Sequence, residues 1–212
     1  FEKGIKHINL SAVGGPCLAS GLANRVHCGV VIANKNLDTA KFLSKMLTTN
    51  YYHVSASSDV KGVEVCAAIK NIFSMVIGAA SGLNKIKLKG NFYLNTSAAL
   101  MRQSVYEMEI FSEFLEGKKE TVKGLAGLGD LYVSAAGGRN SKMGSFIGEG
   151  IIFSEAKKNK MPNVTIEGAE LIFEIGKKVK EDFDEKKLPL MVAMINAILE
   201  DKKLEIKWEN FN

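Results

Sequence analysis

Lys70 is the residue whose surroundings most clearly suggest chemistry. It lies in a mostly apolar run between Cys66 and Phe73, so its ammonium group is expected to be partly desolvated. Because loss of water disfavours the charged form, a lysine in such a setting is a usable proton donor. The alternative is that the side chain extends to solvent from the edge of a helix, and spacing alone slightly favours this alternative.

Asp130 is a second candidate because it follows a glycine-rich stretch, residues 124–129. Glycines allow the backbone to approach its neighbours closely, so the carboxylate could pair with a buried lysine. The alternative is that Asp130 only caps the short helix that follows it. Without other information, this capping role is the favoured interpretation.

Arg139 and Asn140 follow a Gly137-Gly138 turn and directly precede a predicted helix over residues 141–148. A flexible turn, a guanidinium group and the free amides of a helix start together suit a phosphate dianion. Gly-Gly turns are common, however, so an ordinary turn is the alternative. The pattern predicts an anion site at this turn.

Several other kinds of site lack their sequence patterns. There is no G-x-G-x-x-G after a strand, no P-loop and no Gly-x-Ser-x-Gly elbow, so the main phosphate loop of a nucleotide cofactor is not expected in this chain. Cys17, Cys28 and Cys66 form no CxxC pair, and the three histidines lack ligand-like spacing. We therefore expect no metal site and no disulfide framework, which is typical of a reducing cytoplasm.

The positive charge of the chain is modest and dispersed. The sequence has 28 basic and 23 acidic residues, a net charge of +5 and a pI of about 9.0. Only Arg25, Arg102 and Arg139 are arginines, and the lysine clusters alternate with acidic residues. Interspersed charges of this kind are typical of solvated helix faces, so nucleic acid is not an expected partner.

The first part of the chain has the pattern of an α/β unit. Residues 27–33 form a β-branched run suited to a buried strand, residues 37–47 have helical apolar spacing, and residues 51–55 resemble another strand. Three strands at most cannot form a complete doubly wound sheet. Since the chain opens at Phe1 without an initiator methionine, we expect residues 1–58 to be the carboxy-terminal remnant of a larger domain.

After Ser58 the pattern becomes helical. Asp59 is expected to cap a helix that is apolar nearly all round and therefore central, and its glycines and alanines should let neighbouring backbones approach closely. A second helix is predicted over residues 95–116, with Gly117 past its end. Its predicted buried face consists of Met101, Val105, Met108 and Leu115. Further helices are predicted over residues 141–148, 167–179 and 190–199.

One stretch, residues 62–83, approaches the length of a membrane span. It contains Glu64 and Lys70, and charges at membrane depth are costly. We therefore predict a buried helix and no membrane span.

Two segments carry a resemblance to a known family. Residues 64–71 contain Glu64, then Ala68-Ile69-Lys70-Asn71, and residues 127–140 contain Gly127, Asp130-Leu131, Ser134 and Arg139-Asn140. They resemble the E-x-x-x-A-[LI]-K-N helix and the G-x-x-D-L…R-N segment of the NAD-dependent glycerol-3-phosphate dehydrogenases. Further matches in order are Lys3-Gly4-Ile5, Gly15-Pro16 with Ala19, Gly148-Glu149-Gly150 and Thr165-Ile166-Glu167-Gly168.

The sequence also departs from the family pattern. Gly21 stands where the family has a glutamate, Cys17 replaces a serine, and the segment 84–94 differs from the usual approach to Asn95. These changes bear on the preferred substrate and leave Lys70 and Asp130 in place.

The resemblance implies a mainly α fold. Residues 59–212 would form an all-helical substrate domain like the carboxy-terminal domain of 6-phosphogluconate dehydrogenase, preceded by the last strands and helix of an α/β Rossmann domain. It also implies reversible hydride transfer between NAD or NADP and dihydroxyacetone phosphate or glycerol 3-phosphate. A cytoplasmic homodimer is the expected form, and the 212 residues alone are expected to be inactive.

The resemblance also assigns roles to individual residues. Lys70 would donate the proton, Asp130 would orient the ammonium group of Lys70, and Lys3 would be a second cation near the substrate carbonyl. The residues expected to bind substrate are Asn71, Ser134, Arg139 and Asn140. The residues expected to bind the cofactor are Glu167 and Arg139.

Two alternative functions remain open at this point. One is a related dehydrogenase for another phosphorylated or carboxylated hydroxy compound, motivated by Gly21 and the segment 84–94. The other is a helical dimerisation or ligand-sensing module without catalysis.

Overall fold

The computed structural model describes residues 9–88 and 94–212 as a small sheet followed by a helical assembly. Lys3 and part of the segment 84–94 lie outside the described residues. The strands are β1 (Ala12–Gly14), β2 (Cys28–Ala33) and β3 (Tyr52–Ser57). The helices are α1 (Ala19–Ala23), α2 (Leu37–Leu47), α3 (Val60–Leu88), α4 (Leu94–Phe114), α5 (Lys119–Lys123), α6 (Asp130–Ala135), α7 (Arg139–Gly148), α8 (Phe153–Asn159), α9 (Glu167–Asp182) and α10 (Pro189–Leu199).

The sheet has the order β1-β2-β3, with β2 in the centre. β2 and β3 are parallel and are connected through α2, which confirms the α/β unit predicted from the sequence. β1 runs antiparallel to β2. The buried side chains of the sheet are few, with Val30, Ile32 and Val54 forming its small apolar cluster.

Large apolar side chains lie exposed around this sheet. Phe42 and Met46 on α2 are 62% and 65% exposed, and Leu10, Val13, Leu18 and Val26 are each more than half exposed. Exposed apolar surface of this extent is uncommon on a complete domain. The sheet and α2 therefore present a face that nothing in the described chain covers.

α3 is the central element of the helical assembly. Its side chains Ile69, Ile72, Phe73 and Met75 are fully buried in the main core. By length and apolar composition, the stretch Val60–Lys85 could cross a membrane, but 67% of the apolar window lies inside the fold. The helix therefore has the burial of a core helix, as the sequence analysis predicts.

Asp59 fixes the start of α3, as predicted. Its carboxylate accepts hydrogen bonds from the backbone N–H of Gly62 (3.0 Å) and Lys118 (2.9 Å) and from the hydroxyl of Thr121 (2.6 Å). Burial acts to raise the pKa of Asp59, but these hydrogen bonds outweigh it and hold the pKa below its ordinary value. Asp59 thereby ties the start of α3 to the start of α5.

The predicted buried face of α4 is wrong in part. Met108 is fully buried, but Met101 and Val105 are only partly buried, and Leu115 lies beyond the helix end and is 39% exposed. The buried face instead consists of Leu100, Gln103, Ser104, Glu107, Met108, Phe111 and Ser112. Gln103 and Glu107 have hydrogen-bond partners on this face, whereas the buried hydroxyl oxygens of Ser104 and Ser112 have none among the described residues.

The buried carboxylate of Glu107 is satisfied by hydrogen bonds from α4 and α10. Its carboxylate accepts hydrogen bonds from the backbone N–H groups of Leu190 (2.9 Å) and Met191 (2.8 Å), and Gln103 Nε2 donates to it at 3.2 Å. Pro189, the first residue of α10, has no N–H, so Glu107 satisfies the first free amides of that buried helix. Burial raises the pKa of Glu107 to about 7.

α4 ends at Phe114, two residues before the predicted end, and Gly117 lies past it as predicted. Glu116 adopts the left-handed backbone with φ of 65°. Gly117 is required for a different reason, because an added Cβ would lie 2.8 Å from the Cα of Gly62. The glycine therefore serves the close approach of this loop to the start of α3.

α3 and α7 pack backbone against backbone. A Cβ added at Gly144 of α7 would lie 1.9 Å from the carbonyl oxygen of Met75, and one added at Gly78 of α3 would lie 2.1 Å from that of Ser141. Gly82 and Gly148 continue this contact in the same way. The small residues predicted to allow close helix approach therefore do so, and they set the register of α7 on α3.

Candidate active site

Lys70 and Asp130 form an ion pair between α3 and α6, in which Nζ of Lys70 donates to Oδ2 of Asp130. Both side chains are largely withdrawn from solvent, at 20% and 9% exposure respectively. Asp130 is the first residue of α6, while Gly129 takes the N-cap position and no side chain caps this helix start, so the structure does not show the capping role favoured from the sequence. The structure thus contains the predicted pairing of this carboxylate with a largely buried lysine.

The glycine-rich stretch before Asp130 forms a single π-helical turn, Leu125–Gly129, that runs directly into α6. Gly127 is packed so closely that an added Cβ would lie 2.0 Å from the carbonyl oxygen of Val122. The backbone N–H of Gly129 donates to the carbonyl of Gly124 at 3.2 Å. These contacts fix the turn that presents the Asp130 carboxylate to Lys70.

A second group of polar residues lies where α7 and α9 begin. Arg139 is the first residue of α7, and its Nη2 donates to Oε1 of Glu167, the first residue of α9. The Arg139 side chain is 61% exposed, and that of Glu167 is 34% exposed. The guanidinium therefore keeps donors that face solvent while one edge is held by a carboxylate.

Asn140 connects this group to α3. Its Nδ2 donates to Oε2 of Glu167 (3.1 Å) and to Oδ1 of Asn71 (3.3 Å), while its Oδ1 accepts from the backbone N–H of Gly168 (2.9 Å). Because Asn71 directly follows Lys70, the two polar groups meet at this point of α3. Asn140 is buried, and its side chain is largely committed to these partners.

Ser134 lies one helical turn after Asp130 and is half-buried on α6. Its backbone carbonyl accepts from the N–H of Gly138 at 3.3 Å, which connects α6 to the Gly-Gly turn before Arg139. The structure therefore groups the predicted residues around α3, with Lys70 and Asn71 in the middle of α3, Asp130 at the start and Ser134 near the end of α6, Arg139 and Asn140 at the start of α7, and Glu167 at the start of α9.

The turn between β1 and α1 also reaches this region, and this contact was not predicted from the sequence. Gly15 has φ of 137°, and an added Cβ would lie 2.9 Å from the Cα of Val30. The next residue, Pro16, packs against Gly129, where an added Cβ would lie 3.4 Å from the proline ring. The combination Gly15-Pro16 was the available signal, because a glycine before a proline marks a turn.

The site contains two cationic side chains, Lys70 and Arg139, and each is paired with a carboxylate. Lys70 can donate a proton, and the exposed donors of Arg139 can bind an anion. In residues 9–88 and 94–212, no group of three or more histidine, cysteine, aspartate or glutamate residues is placed to hold a metal ion. The Lys70–Asp130 pair and the exposed guanidinium of Arg139 give the site the character of an acid–base centre beside an anion site.

Comparison with known proteins gives the family. The sequence model of the NAD-dependent glycerol-3-phosphate dehydrogenase C-terminus matches residues 59–208. A glycerol-3-phosphate dehydrogenase [NAD(P)+] of Campylobacter lari is 36% identical over 153 residues, which are 71% of this chain and 48% of that protein. An NADP(+)-dependent glycerol-3-phosphate dehydrogenase of Archaeoglobus fulgidus is 29% identical over 200 residues, which are 92% of this chain and 57% of that protein.

Solved structures agree with this result. The crystal structure of glycerol-3-phosphate dehydrogenase from Coxiella burnetii superposes with a TM-score of 0.78 at 29% identity, covering 95% of this chain and 59% of that one. The enzyme from Saccharomyces cerevisiae gives a TM-score of 0.78 at 25% identity, covering 96% and 58%. The chain spans about half the length of the curated relatives it matches. On the match over residues 59–208, this chain belongs to the NAD-dependent glycerol-3-phosphate dehydrogenase family.

Proposed function

We propose that the chain is the carboxy-terminal part of an NAD(P)-dependent glycerol-3-phosphate dehydrogenase. Residues 1–58 would be the end of its dinucleotide-binding domain, and residues 59–212 its helical substrate domain. The parallel pair of β2 and β3 and the uncovered apolar face around α2 support this division. The family match, which begins at residue 59, supports the same boundary.

The observation that carries the proposed reaction is the Lys70–Asp130 ion pair beside the exposed guanidinium of Arg139. When dihydroxyacetone phosphate is reduced, negative charge develops on the oxygen at C2. Lys70 would neutralise that charge by donating a proton from Nζ, and it would take the proton back in the reverse direction. Asp130 would hold the ammonium in position for this transfer.

Arg139 would bind the phosphate of the substrate, with Asn71 and Ser134 as further contacts and Lys3 as a second cation near the carbonyl. Asn140 would contribute partly by positioning other residues, because its side chain holds Glu167, Asn71 and the start of α9 in place. Fixing the substrate through its remote phosphate would orient C2 toward Lys70.

The nicotinamide cofactor, NAD or NADP, would supply or accept the hydride. Arg139 and Glu167 fit one part of such a cofactor, because an exposed guanidinium can donate to phosphate oxygens and a carboxylate can accept from hydroxyl groups. The glycine-rich loop for the cofactor phosphates would belong to the dinucleotide-binding domain of the complete enzyme. We further propose that the complete enzyme is a homodimer of the cytoplasm.

The decisive experiment is an assay of NADH and NADPH oxidation by the full-length protein. We expect turnover with dihydroxyacetone phosphate and little with unphosphorylated dihydroxyacetone or small 2-keto acids. Preference for dihydroxyacetone or a 2-keto acid would support the alternative of a related dehydrogenase. That alternative is motivated by Gly21, which stands where the family has a glutamate.

Substitution of Lys70 separates an enzyme from a non-catalytic module. Lys70→Ala should lower kcat by about 10²–10⁴-fold without loss of folding, since general acid catalysis contributes that much. Lys61→Ala, on the same helix and 55% exposed, is the matched control and should leave kcat unchanged. Absence of any turnover in the full-length protein would overturn the proposal. The 212 residues alone should be inactive, and robust NADH oxidation by them would contradict the division proposed above.

A further inference from the structure

Cys17 and Cys28 lie side by side in the sheet region. Their Sγ atoms are 3.6 Å apart, and both residues are partly exposed. Cys28 is the first residue of β2, whereas Cys17 lies in the irregular segment between β1 and α1, directly after Pro16. The third cysteine, Cys66, is fully buried in the main core, and burial raises its pKa to about 12.

The two sulfur atoms are close enough for a small movement to link them. A disulfide needs an S–S distance of about 2.05 Å, so the two sulfurs must approach by roughly 1.5 Å. Cys28 is held in place because its N–H donates to the carbonyl of Tyr51 at 2.9 Å. The approach would therefore come from Cys17, whose segment carries no strand pairing.

We propose that Cys17 and Cys28 form a redox modification site, which a small-molecule disulfide converts to an intramolecular disulfide. The thiolate of one cysteine attacks the small-molecule disulfide, so a mixed disulfide forms and one thiol leaves. The second cysteine then attacks the mixed disulfide, forming the Cys17–Cys28 bond and releasing the second thiol. Two electrons pass from the cysteine pair to the small-molecule disulfide, which ends as two thiols.

The surroundings predict how the rate depends on pH. Burial, the contact with Cys28 and the negative charge of Asp130 all raise the pKa of Cys17. Tyr52 faces the same pair, and its pKa is raised by burial and by the two cysteines. Since only the thiolate attacks, the attack by Cys17 should be slow at neutral pH and about tenfold faster at pH 8 than at pH 7.

The cross-link would act on the site described above, and this consequence rests on the proposed function. Pro16 packs against Gly129, which immediately precedes Asp130. Drawing Cys17 toward β2 pulls on the adjacent proline and so changes its contact with the backbone that presents Asp130 to Lys70. The disulfide form should therefore turn over more slowly than the dithiol form.

The chemical step can be tested on the 212-residue chain without any activity assay. The probe is glutathione disulfide, followed by alkylation of free thiols and peptide mass spectrometry. We expect the peptides of Cys17 and Cys28 to become linked, Cys66 to remain a free thiol, and dithiothreitol to reverse the link. Cys66→Ser should behave like the parent chain, while Cys28→Ser should stop at a mixed disulfide on Cys17. A stable mixed disulfide on Cys17 in the parent chain, or linkage to Cys66, would overturn the proposal.

The functional consequence is measured on the full-length protein with dihydroxyacetone phosphate and a nicotinamide cofactor. Oxidation should lower kcat several-fold, with recovery after dithiothreitol, and the double variant Cys17→Ser/Cys28→Ser, which has neither thiol of the pair, should be insensitive. If the linked form retains full kcat, the effect on the site is refuted while the modification site stands. An inactive reduced protein would instead refute the proposed function, and the mass measurement would still decide the fate of the cysteine pair.

Discussion

Nζ of Lys70 donates to a carboxylate oxygen of Asp130, which lies 60 residues further along the chain. α3 provides the lysine and α6 provides the aspartate, so two segments distant in sequence must meet for the pair to exist. A partly desolvated ammonium keeps a defined direction only while such a partner holds it. The pair is therefore the most direct point at which the proposed reaction can be tested.

Asp130→Asn removes the charge of the partner but nearly preserves its shape. We expect kcat of the full-length protein to fall by about 10–100-fold, because Lys70 loses its orienting charge, while KM changes little. Steady-state kinetics with varied dihydroxyacetone phosphate measure both quantities. Asp38→Asn, whose carboxylate is 92% exposed on α2, is the control and should leave both unchanged. An unchanged kcat in Asp130→Asn would remove the orienting role.

Arg139→Lys tests the anion site. A lysine retains the charge but loses the planar set of donors, so we expect KM for the phosphorylated substrate to rise by about 10–100-fold. Substrate titrations at constant ionic strength measure the change. Lys142→Arg makes the reverse exchange on the same helix at an exposed position and should have no effect. If Arg139→Lys left KM unaltered, phosphate binding would have to be assigned elsewhere.

Gly144→Ala tests the backbone contact between α3 and α7. The added methyl group would lie 1.9 Å from the carbonyl oxygen of Met75, so one helix must move. We expect the free energy of unfolding to fall by about 3 kcal/mol, the upper end of ordinary overpacking costs. Urea denaturation followed by circular dichroism measures it. Gly137→Ala meets no atom within 4 Å and should be nearly neutral, and equal stability of the two variants would contradict the close packing.

Because Glu107 is buried, it should make the folded chain less stable as the pH rises from about 4.5 to 7. Its pKa is raised by burial from 4.5 to about 7, so between these values the folded state binds more protons than the unfolded state. The free energy of unfolding therefore falls as pH rises through this window, with a contribution of roughly 3 kcal/mol from this group.

Denaturation of the parent chain and of Glu107→Gln at several pH values between 4.5 and 8 measures this contribution. The variant cannot ionise at this position, so its stability curve should be flatter across the window. Glu174→Gln, at an exposed position on α9, should retain the slope of the parent chain. Parallel curves for the parent chain and Glu107→Gln would contradict the assignment.

Much of the architecture follows from local patterns in the sequence. The helical spacing of residues 37–47 predicts α2 with the bounds that the structure shows, and the Asp59 cap is present at the start of α3. The small residues of α3 predict a close helix neighbour, which is α7. The family resemblance stated from the motifs is confirmed by the match over residues 59–208.

Other features depend on partners distant in sequence, which periodicity does not encode. The buried face of α4 was predicted from its apolar residues, yet Glu107 is buried because α10 begins with a proline and needs acceptors for its next amides. The contact of Asn140 with substrate stays a prediction, and the sequence did not indicate that its amide also spans Asn71 and Glu167. Both networks join segments that meet only in the folded chain.

Arg139 and Glu167 are each the first residue of a helix, and their side chains meet where α7 and α9 begin. The peptide dipoles of two helices therefore place their positive ends at the same point. This electric field comes from the backbone and persists whatever side chain occupies position 139. Attraction of a phosphate to this point should accordingly decline with ionic strength even in variants that lack the arginine, over a screening length of about 8 Å in physiological salt.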